Sequence, residues 1–441
     1  MTKTIYIKTF GCSINQADTE AMVGLLEEAG FKVITNYGIP YHEWKKNPQS
    51  KLSFDLAIIN TCSVKNLAES KFWKEFNKFK SQGKKVIVAG CIPQAEPELL
   101  HDSLKDIPII GTRQLLHTVD IVKSALSGRI IQNINNDYND RLDLPNSRNK
   151  GIIEILPISE GCLSNCSYCK TKLARGELLS YPREKIIERF KRAVDQGCKE
   201  IWITSQDNGC YGFDSYRKEK YFLPQLLNDM LKIKGEYKVR LGMANPDNIK
   251  RIKDDLIQVF KHPKIFKFLH IPIQSGNDRI LRLMKRSYAI KDYESIIDDF
   301  KKQIPDISIS TDIIVGFASE TEKEFVDSIN LLKRTRPDVV NLSRFWLRKN
   351  TPAEKLKHVH GNISKIRSEK MQRILQEISL DNNKRWIGKE CNVLIDDIGK
   401  NNTLIGRNDS YKQVILRNCK HDIGEFVKVK IREAGIYDLR A

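Results

Sequence analysis

The stretch that decides the fold is residues 152–170, IIEILPISEGCLSNCSYCK. It opens as an apolar, β-branched run, the pattern of a strand buried on both faces. It then passes Gly161 into a short loop with cysteines at 162, 166 and 169. Three thiolates spaced this closely suit three irons of a cubane, and a missing fourth cysteine leaves one iron open for a substrate. Zinc fits less well, because structural zinc sites usually close with four ligands. Cysteines that merely pack are the other alternative.

Outward from this loop the chain keeps a β/α rhythm. IIEILPI, EIWITS, KVRLG, FKFLHI, ISISTDII and VVNLSRF read as strands with helical stretches between most of them. Six such units predict a partial (β/α)6 barrel over residues 151–356, with reactive groups at the C-terminal strand ends. Upstream, TIYIKTF, FDLAIIN and KKVIVAG each precede a helical stretch and predict an N-terminal α/β domain with a parallel sheet over residues 1–131. The helix near residues 64–81 should carry Lys71, Lys74 and Lys78 on one side and Phe72, Phe76 and Phe79 on another. The polar, Asn-rich residues 132–150 read as a linker. A charged helix follows the barrel over residues 357–383. NVLIDDI, TLIGRN, KQVILRN and EFVKVKIREA then predict a small antiparallel β-barrel over residues 384–441. The fold class is therefore α/β with a small β-barrel tail.

Three further cysteines share one placement. Cys12, Cys62 and Cys91 each follow a strand of the first domain, and parallel strands bring such loops to a common edge. Spacing alone favours packing cysteines; the shared placement puts a second cluster on equal footing. Cys198, Cys210, Cys391 and Cys419 match no ligand pattern and read as packing residues.

The loop EGCLSNCSYCK resembles the signature of radical S-adenosylmethionine enzymes. LARGELLSYPRE, ITSQDNGCYG, RLGMANP, FLHIPIQSGNDRILRLMKRSY and STDIIVGFASETEKEF resemble, in order, the segments that follow it in the methylthiotransferases. The resemblance implies that Cys162, Cys166 and Cys169 hold a 4Fe-4S cluster that cleaves S-adenosyl-L-methionine to a deoxyadenosyl radical. It also implies that Cys12, Cys62 and Cys91 hold an auxiliary 4Fe-4S cluster presenting the sulfur that becomes methylated. Asn15 and Asn60 match polar positions beside those cysteines, either as donors to cluster sulfur or as turn residues. Glu177, Gln206, Asp207, Asn245, His270, Gln274, Asp312 and Arg344 lie where cofactor or substrate contacts are expected, with turn capping by Asp207 and Asn245 and backbone satisfaction by Asp312 as the structural alternatives. Thr351 joins them, and Gly276 permits close backbone approach. Two loops depart from the family's Pro-Gly, at Ala318-Ser319 and Lys349-Asn350.

Residues 384–441 resemble the TRAM domain, an RNA-binding β-barrel. Arg385, Arg407, Tyr411 and Lys412 are its candidates for phosphate and base contacts. With eleven Lys and Arg against eight Asp and Glu after residue 384, the tail is only mildly basic, so a structural barrel is the competing reading. GCSINQADTE and RLGMANP look most like the archaeal and eukaryotic branch. That branch modifies carbon 2 of N6-threonylcarbamoyladenosine, at position 37 of tRNA beside the anticodon. Other branches act on isopentenyladenosine or on a ribosomal-protein aspartate. A cluster-bearing RNA-binding protein without catalysis is the reading from another class.

The whole-chain numbers agree with this reading. With 441 residues several domains are expected, and a net charge of +19 favours a polyanionic partner such as tRNA. The amino terminus, MTKTIYIKTF, lacks the apolar core of a signal peptide, and no run approaches the length of a membrane span. The expectation is a cytoplasmic, monomeric enzyme with no membrane contact. It would draw on a sulfur source and on a flavodoxin- or ferredoxin-like electron donor.

Overall fold

The structure is a computed structural model describing residues 2–36, 53–63, 66–135, 137, 141–148, 151–214, 221–417 and 419–441. It divides into two compact units, residues 1–162 with 169–189, and residues 163–168 with 190–441. Among the described residues no helix is long and apolar enough to cross a membrane.

The first unit is built on six parallel strands: β1 (Thr4–Thr9), β2 (Lys32–Thr35), β3 (Leu56–Thr61), β4 (Lys85–Gly90), β5 (Ile109–Ile110) and β6 (Gln132–Asn133). Their order is β2-β1-β3-β4-β5-β6. The alternation of side chains explains the packing. Ile5, Ile7 and Ile58 face the helix Ser13–Glu28 through Met22 and Leu26. Tyr6, Ala57 and Ile59 face the helix Asn66–Ser81 through Phe72, Phe76 and Phe79. On that helix Lys71 and Lys74 are exposed and Lys78 is half-buried, so the predicted basic face exists. Residues 132–133 form an edge strand, and Arg141, Leu142 and Leu144 are buried. Within the stretch expected to be a linker, the described residues 132–133 and 141–145 thus pack on this unit. Gly24 shows how tightly they lie on the first helix: a Cβ there would fall 2.5 Å from the Pro145 carbonyl oxygen. The unit also holds β7 (Ile153–Pro157) and the hairpin of β8 (Ser159–Glu160) with β9 (Leu179–Ser180).

In the second unit, β10 (Glu200–Thr204) pairs in parallel with β11 (Lys238–Leu241). Further on, β12 (Phe268–His270), β13 (Ser308–Val315) and β14 (Val339–Arg344) form a second parallel set. Each predicted strand of this region is present. The helix Gly361–Lys384 packs back against these strands. Met371, Leu375 and Ile378 are buried along it, and Asn382 donates to the Arg336 and Pro337 carbonyls.

The tail contains β15 (Glu390–Ile398), β16 (Leu404–Asn408), β17 (Gln413–Leu416), β18 (Phe426–Lys430), β19 (Glu433–Ala434) and β20 (Leu439–Arg440), ordered β18-β15-β16-β17-β20-β19. This curled sheet matches the expected small barrel, with one difference: β17 and β20 pair in parallel. A bulge between Ile395 and Asp397 bends β15, as strands at barrel corners do.

Candidate active site

Cys12, Cys62 and Cys91 lie just beyond β1, β3 and β4, at the edge where these parallel strands end. Gly11 makes their approach possible. Its φ is 114°, and a Cβ would fall 2.5 Å from Cys62 Cβ and 2.7 Å from its Sγ. Asn15 sits among the thiols, its Oδ1 at 3.9 Å from Cys12 Sγ and 3.7 Å from Cys91 Sγ. Both asparagines direct amide N–H groups at oxygen. Asn15 Nδ2 donates to the Phe10 and Thr61 carbonyls, and Asn60 Nδ2 donates to the Asn15 carbonyl and Thr19 Oγ1. Both therefore stitch the cysteine loops together. Cys62 and Cys91 are buried and Cys12 is exposed, leaving one side of the group accessible. Among the described residues no three His, Cys, Asp or Glu side chains close around a single metal ion. An all-thiol donor set on three loops suits an iron–sulfur cluster, whose thiolates bind different irons.

A charged network sequence reasoning did not single out lies against this group. Arg175, 1% exposed in its side chain, donates to Asp18 at 2.6 Å, Glu160 at 2.9 Å and Asn15 Oδ1 at 3.1 Å. Arg141 pairs with Asp18 at 2.6 Å, and Arg113 and Arg141 approach Glu160 at 3.8 and 3.7 Å. Burial opposes the Arg175 charge, yet Asp18, Cys91 and Glu160 hold its pKa well above the ordinary value. Burial pushes the Cys91 thiol up, while the charge and hydrogen bond of Arg175 pull it down. These partners lie far apart in sequence, and no periodicity could have paired them.

The second cysteine run is approached from each unit separately. In the first, the Cys162 carbonyl accepts from Lys172, and Cys169 precedes the helix Lys170–Arg175. Lys172 also pairs with Glu177 at 2.6 Å, and Glu177 stays exposed. In the second, Ser167 donates to the Leu283 carbonyl and accepts from Ala353 N–H. Arg286 is the anchor there. Its guanidinium donates to Tyr168 Oη and Asn245 Oδ1, each at 2.6 Å. Burial opposes the Arg286 charge, yet Tyr168, Tyr288 and Cys166, with the Tyr168 hydrogen bond, hold its pKa well above the ordinary value.

This network gives two of the candidate contact residues internal partners. Asp207 is fully buried and accepts from Gly209 N–H, Asn245 N–H and the Asn245 and Asn248 side chains. Burial raises its pKa. Asp207 thus organises the turn after β10, and Asn245 relays it to Arg286. Other candidates are disposed differently. His270 Nε2 lies 3.0 Å from Asp312 Oδ1, which also accepts from Asn341 at 2.7 Å. Burial opposes ionisation of Asp312, but His270, Asn341 and Arg286 together hold it below the usual carboxylate range. Gln274 is buried with φ at 71°. Gln206 is half-buried after β10. Arg344, at the end of β14, stacks 5.2 Å over exposed Trp346. Thr351 Oγ1 donates to the Arg348 carbonyl. Gly276 lies where a Cβ would meet Ser328 Cα at 2.4 Å, the close approach its sequence position suggested.

Three of the four nucleic-acid candidates in the tail are engaged elsewhere. Tyr411 donates to Glu200 at 2.9 Å, and its ring packs on Phe266 and Phe268. Lys412 binds Asp338 and Asn383, each at 2.8 Å. Arg407 donates to Asp396 at 3.1 Å. Tyr411 and Lys412 seat the tail at the amino-terminal ends of β10, β12 and β14, because their polar atoms find partners there rather than solvent, whereas the Arg407 bond stays within the tail. Arg385 remains exposed in its side chain.

The chain matches the uncharacterized protein family UPF0004 over residues 4–111, the radical SAM superfamily over 156–332 and the TRAM domain over 384–441. It is 38% identical to the probable threonylcarbamoyladenosine tRNA methylthiotransferase of Pyrococcus horikoshii, covering 98% of this chain and 97% of that protein. It is 35% identical to the human threonylcarbamoyladenosine tRNA methylthiotransferase, covering 98% of this chain and 72% of that one. Among solved structures, the radical S-adenosylmethionine methyltransferase TsrM of Kitasatospora setae matches with a TM-score of 0.54 at 13% identity, covering 80% of this chain and 77% of that one. That likeness is one of fold.

Proposed function

Because the chain belongs to the threonylcarbamoyladenosine tRNA methylthiotransferase family, we propose that it attaches a methylthio group to carbon 2 of N6-threonylcarbamoyladenosine at position 37 of tRNA. The observation that carries this reading beyond radical chemistry in general is the gathering of Cys12, Cys62 and Cys91 about Asn15. A radical enzyme that only abstracts hydrogen needs one cluster; one that also delivers sulfur needs a second holder.

In this reading Cys162, Cys166 and Cys169 hold one 4Fe-4S cluster and Cys12, Cys62 and Cys91 the other. When bound, the clusters and S-adenosylmethionine supply the radical, the sulfur and the methyl group, chemistry no side chain performs. The protein's part is positioning. Arg286 fixes Tyr168 inside the cysteine loop, and Asp207 fixes Asn245 behind Arg286. His270, Asp312 and Asn341 form a hydrogen-bonded set at the ends of β12 and within β13 and β14. Glu177, Gln206 and Arg344 remain candidates for contact with S-adenosylmethionine or the modified base. Exposed Arg385, Lys428 and Lys430 are the tail's candidates for phosphate contact, in the cytoplasm and with an external electron donor and sulfur source.

Nucleoside mass spectrometry of tRNA tests the assignment in a strain lacking its own enzyme of this type. The full chain should convert threonylcarbamoyladenosine to its methylthio form. Cys162→Ala and Cys91→Ala variants should each leave the unmodified base. A methylthio mark on isopentenyladenosine instead, or none on tRNA with both clusters loaded, would overturn the base or the substrate.

A further inference from the structure

We propose that Arg175 is a positioning residue for the cluster at Cys12, Cys62 and Cys91, and that its buried positive charge beside Cys91 raises that cluster's reduction potential. The inference rests on the reading that these three cysteines hold a cluster. Arg175 is the last residue of the helix Lys170–Arg175, which starts directly after Cys169. That helix packs on the helix Cys91–Ala95, with Ala174 against Cys91 and Ala95. Lys170 and Glu96 close the contact with a buried ion pair. One rigid turn of chain thus ties a ligand of the radical cluster to the cation beside the auxiliary one.

The donor geometry suits arginine, although lysine would keep the charge. Nη1 serves Glu160 while Nη2 serves Asp18 and Asn15 Oδ1, a fork that the single ammonium of lysine cannot reproduce. Asp18 and Glu160 are shared with Arg141 and Arg113. The two carboxylates therefore do not neutralise Arg175 by themselves, and its field reaches the cysteines. In a site this dry a charge acts with little screening. Reduction adds negative charge to a cluster, so a neighbouring cation favours the reduced form, as net charge and hydrogen bonds to sulfur generally do. A purely structural Arg175, holding Asp18 and Glu160 in place, would stabilise the fold and leave the potential alone.

The test isolates the auxiliary cluster in a Cys162→Ala, Cys166→Ala, Cys169→Ala background and compares Arg175 with Arg175→Lys, Arg175→Gln and Arg175→Met. Iron content, the electron paramagnetic resonance spectrum of the reduced cluster and its midpoint potential are measured. Arg175→Met and Arg175→Gln should lower the reduced-to-oxidised ratio at fixed poise at least tenfold, equivalent to about 59 mV for one electron. Arg175→Lys should recover most of it. Full iron with unchanged spectrum and potential in Arg175→Met overturns the inference and leaves the cluster reading standing. If Arg175→Met and Arg175→Gln lose iron while Arg175→Lys retains it, charge is still the deciding property. Loss in all three assigns the residue to packing and overturns the proposal. A background protein that binds no iron with Arg175 intact sinks the cluster reading itself, and the inference with it.

Discussion

Ser319 and Asn350 each have φ of 65°, the left-handed conformation that glycine adopts freely and other L-residues adopt at a cost. They stand in the two loops that depart from the Pro-Gly common in the family, and the cost of the left-handed conformation falls on these residues. Ser319→Gly should therefore stabilise the protein by ~1 kcal/mol, read as a higher midpoint in urea; an unchanged midpoint would mean the loop relaxes elsewhere. Asn350→Gly should gain less, because asparagine tolerates this region. Gly11 is the opposite case. A methyl group there meets Cys62, so Gly11→Ala should cut bound iron to that of one cluster while cleavage of S-adenosylmethionine continues. Full iron in that variant would remove Cys62 from the ligand set.

Single elements carry their own electrostatics. The helix Glu322–Thr335 begins with a capping box in which Thr321 and Glu324 exchange hydrogen bonds, and Arg279 adds a second bond to the Glu324 carboxylate at 2.7 Å. The Arg279 hydrogen bond, against a smaller opposing effect of burial and with Thr321 assisting, holds Glu324 at about 2, below its ordinary 4.5. A depressed carboxylate contributes stability above its unfolded pKa and loses it as pH falls through the folded one. Arg279 is 45% exposed, so solvent screening reduces the effect. Glu324→Gln should cost on the order of 1 kcal/mol at pH 7. The gap to wild type should narrow between about pH 4.5 and about pH 2. Urea midpoints at pH 7 and pH 3 check this, and a gap independent of pH would refute it.

For the whole molecule the consequential finding is how the tail is seated. Tyr411 covers Phe266 and Phe268 and donates to fully buried Glu200. Lys412 reaches Asp338, Ser410 donates to the Asp306 carbonyl, and Lys267 N–H donates to the Asp409 carbonyl. Removing residues 384–441 should therefore do more than weaken tRNA binding. It uncovers two phenylalanines, each contributing roughly 1.5–3 kcal/mol of burial, and leaves Glu200 without Tyr411. Thermal melts and gel filtration should show a lower Tm and self-association; a truncated protein as stable and monodisperse as full length would contradict this. Binding is better tested with Arg385→Ala, Lys428→Ala and Lys430→Ala together. Those changes should leave the Tm in place and flatten the salt dependence of tRNA binding by up to roughly three counterions.

The α/β class, most of the longer strands, the curled tail and the run Cys162, Cys166 and Cys169 are legible in the sequence because each has a local signature, whereas Cys12, Cys62 and Cys91 have none and stand out only through their shared place after a strand and the family resemblance. Periodicity shows which face is buried, and thiol spacing shows what a loop can ligate. Tertiary structure alone decided which polar side chains act together. Arg175 meets Asp18 across 157 residues, and Arg286 meets Tyr168 across 118; no window of sequence contains either pair. The same limit explains why the sequence leaves both a contact role and a structural role open at several positions. Asp207 and Asn245 do lie at strand ends, yet their polar atoms turn inward to each other and to Arg286. Tyr411 and Lys412 do lie on the tail, yet a buried carboxylate and two aromatic rings offer them more than solvent does. Side-chain chemistry is written in the sequence, but its partner is chosen by the fold, which brings distant residues within a few ångströms and excludes water between them.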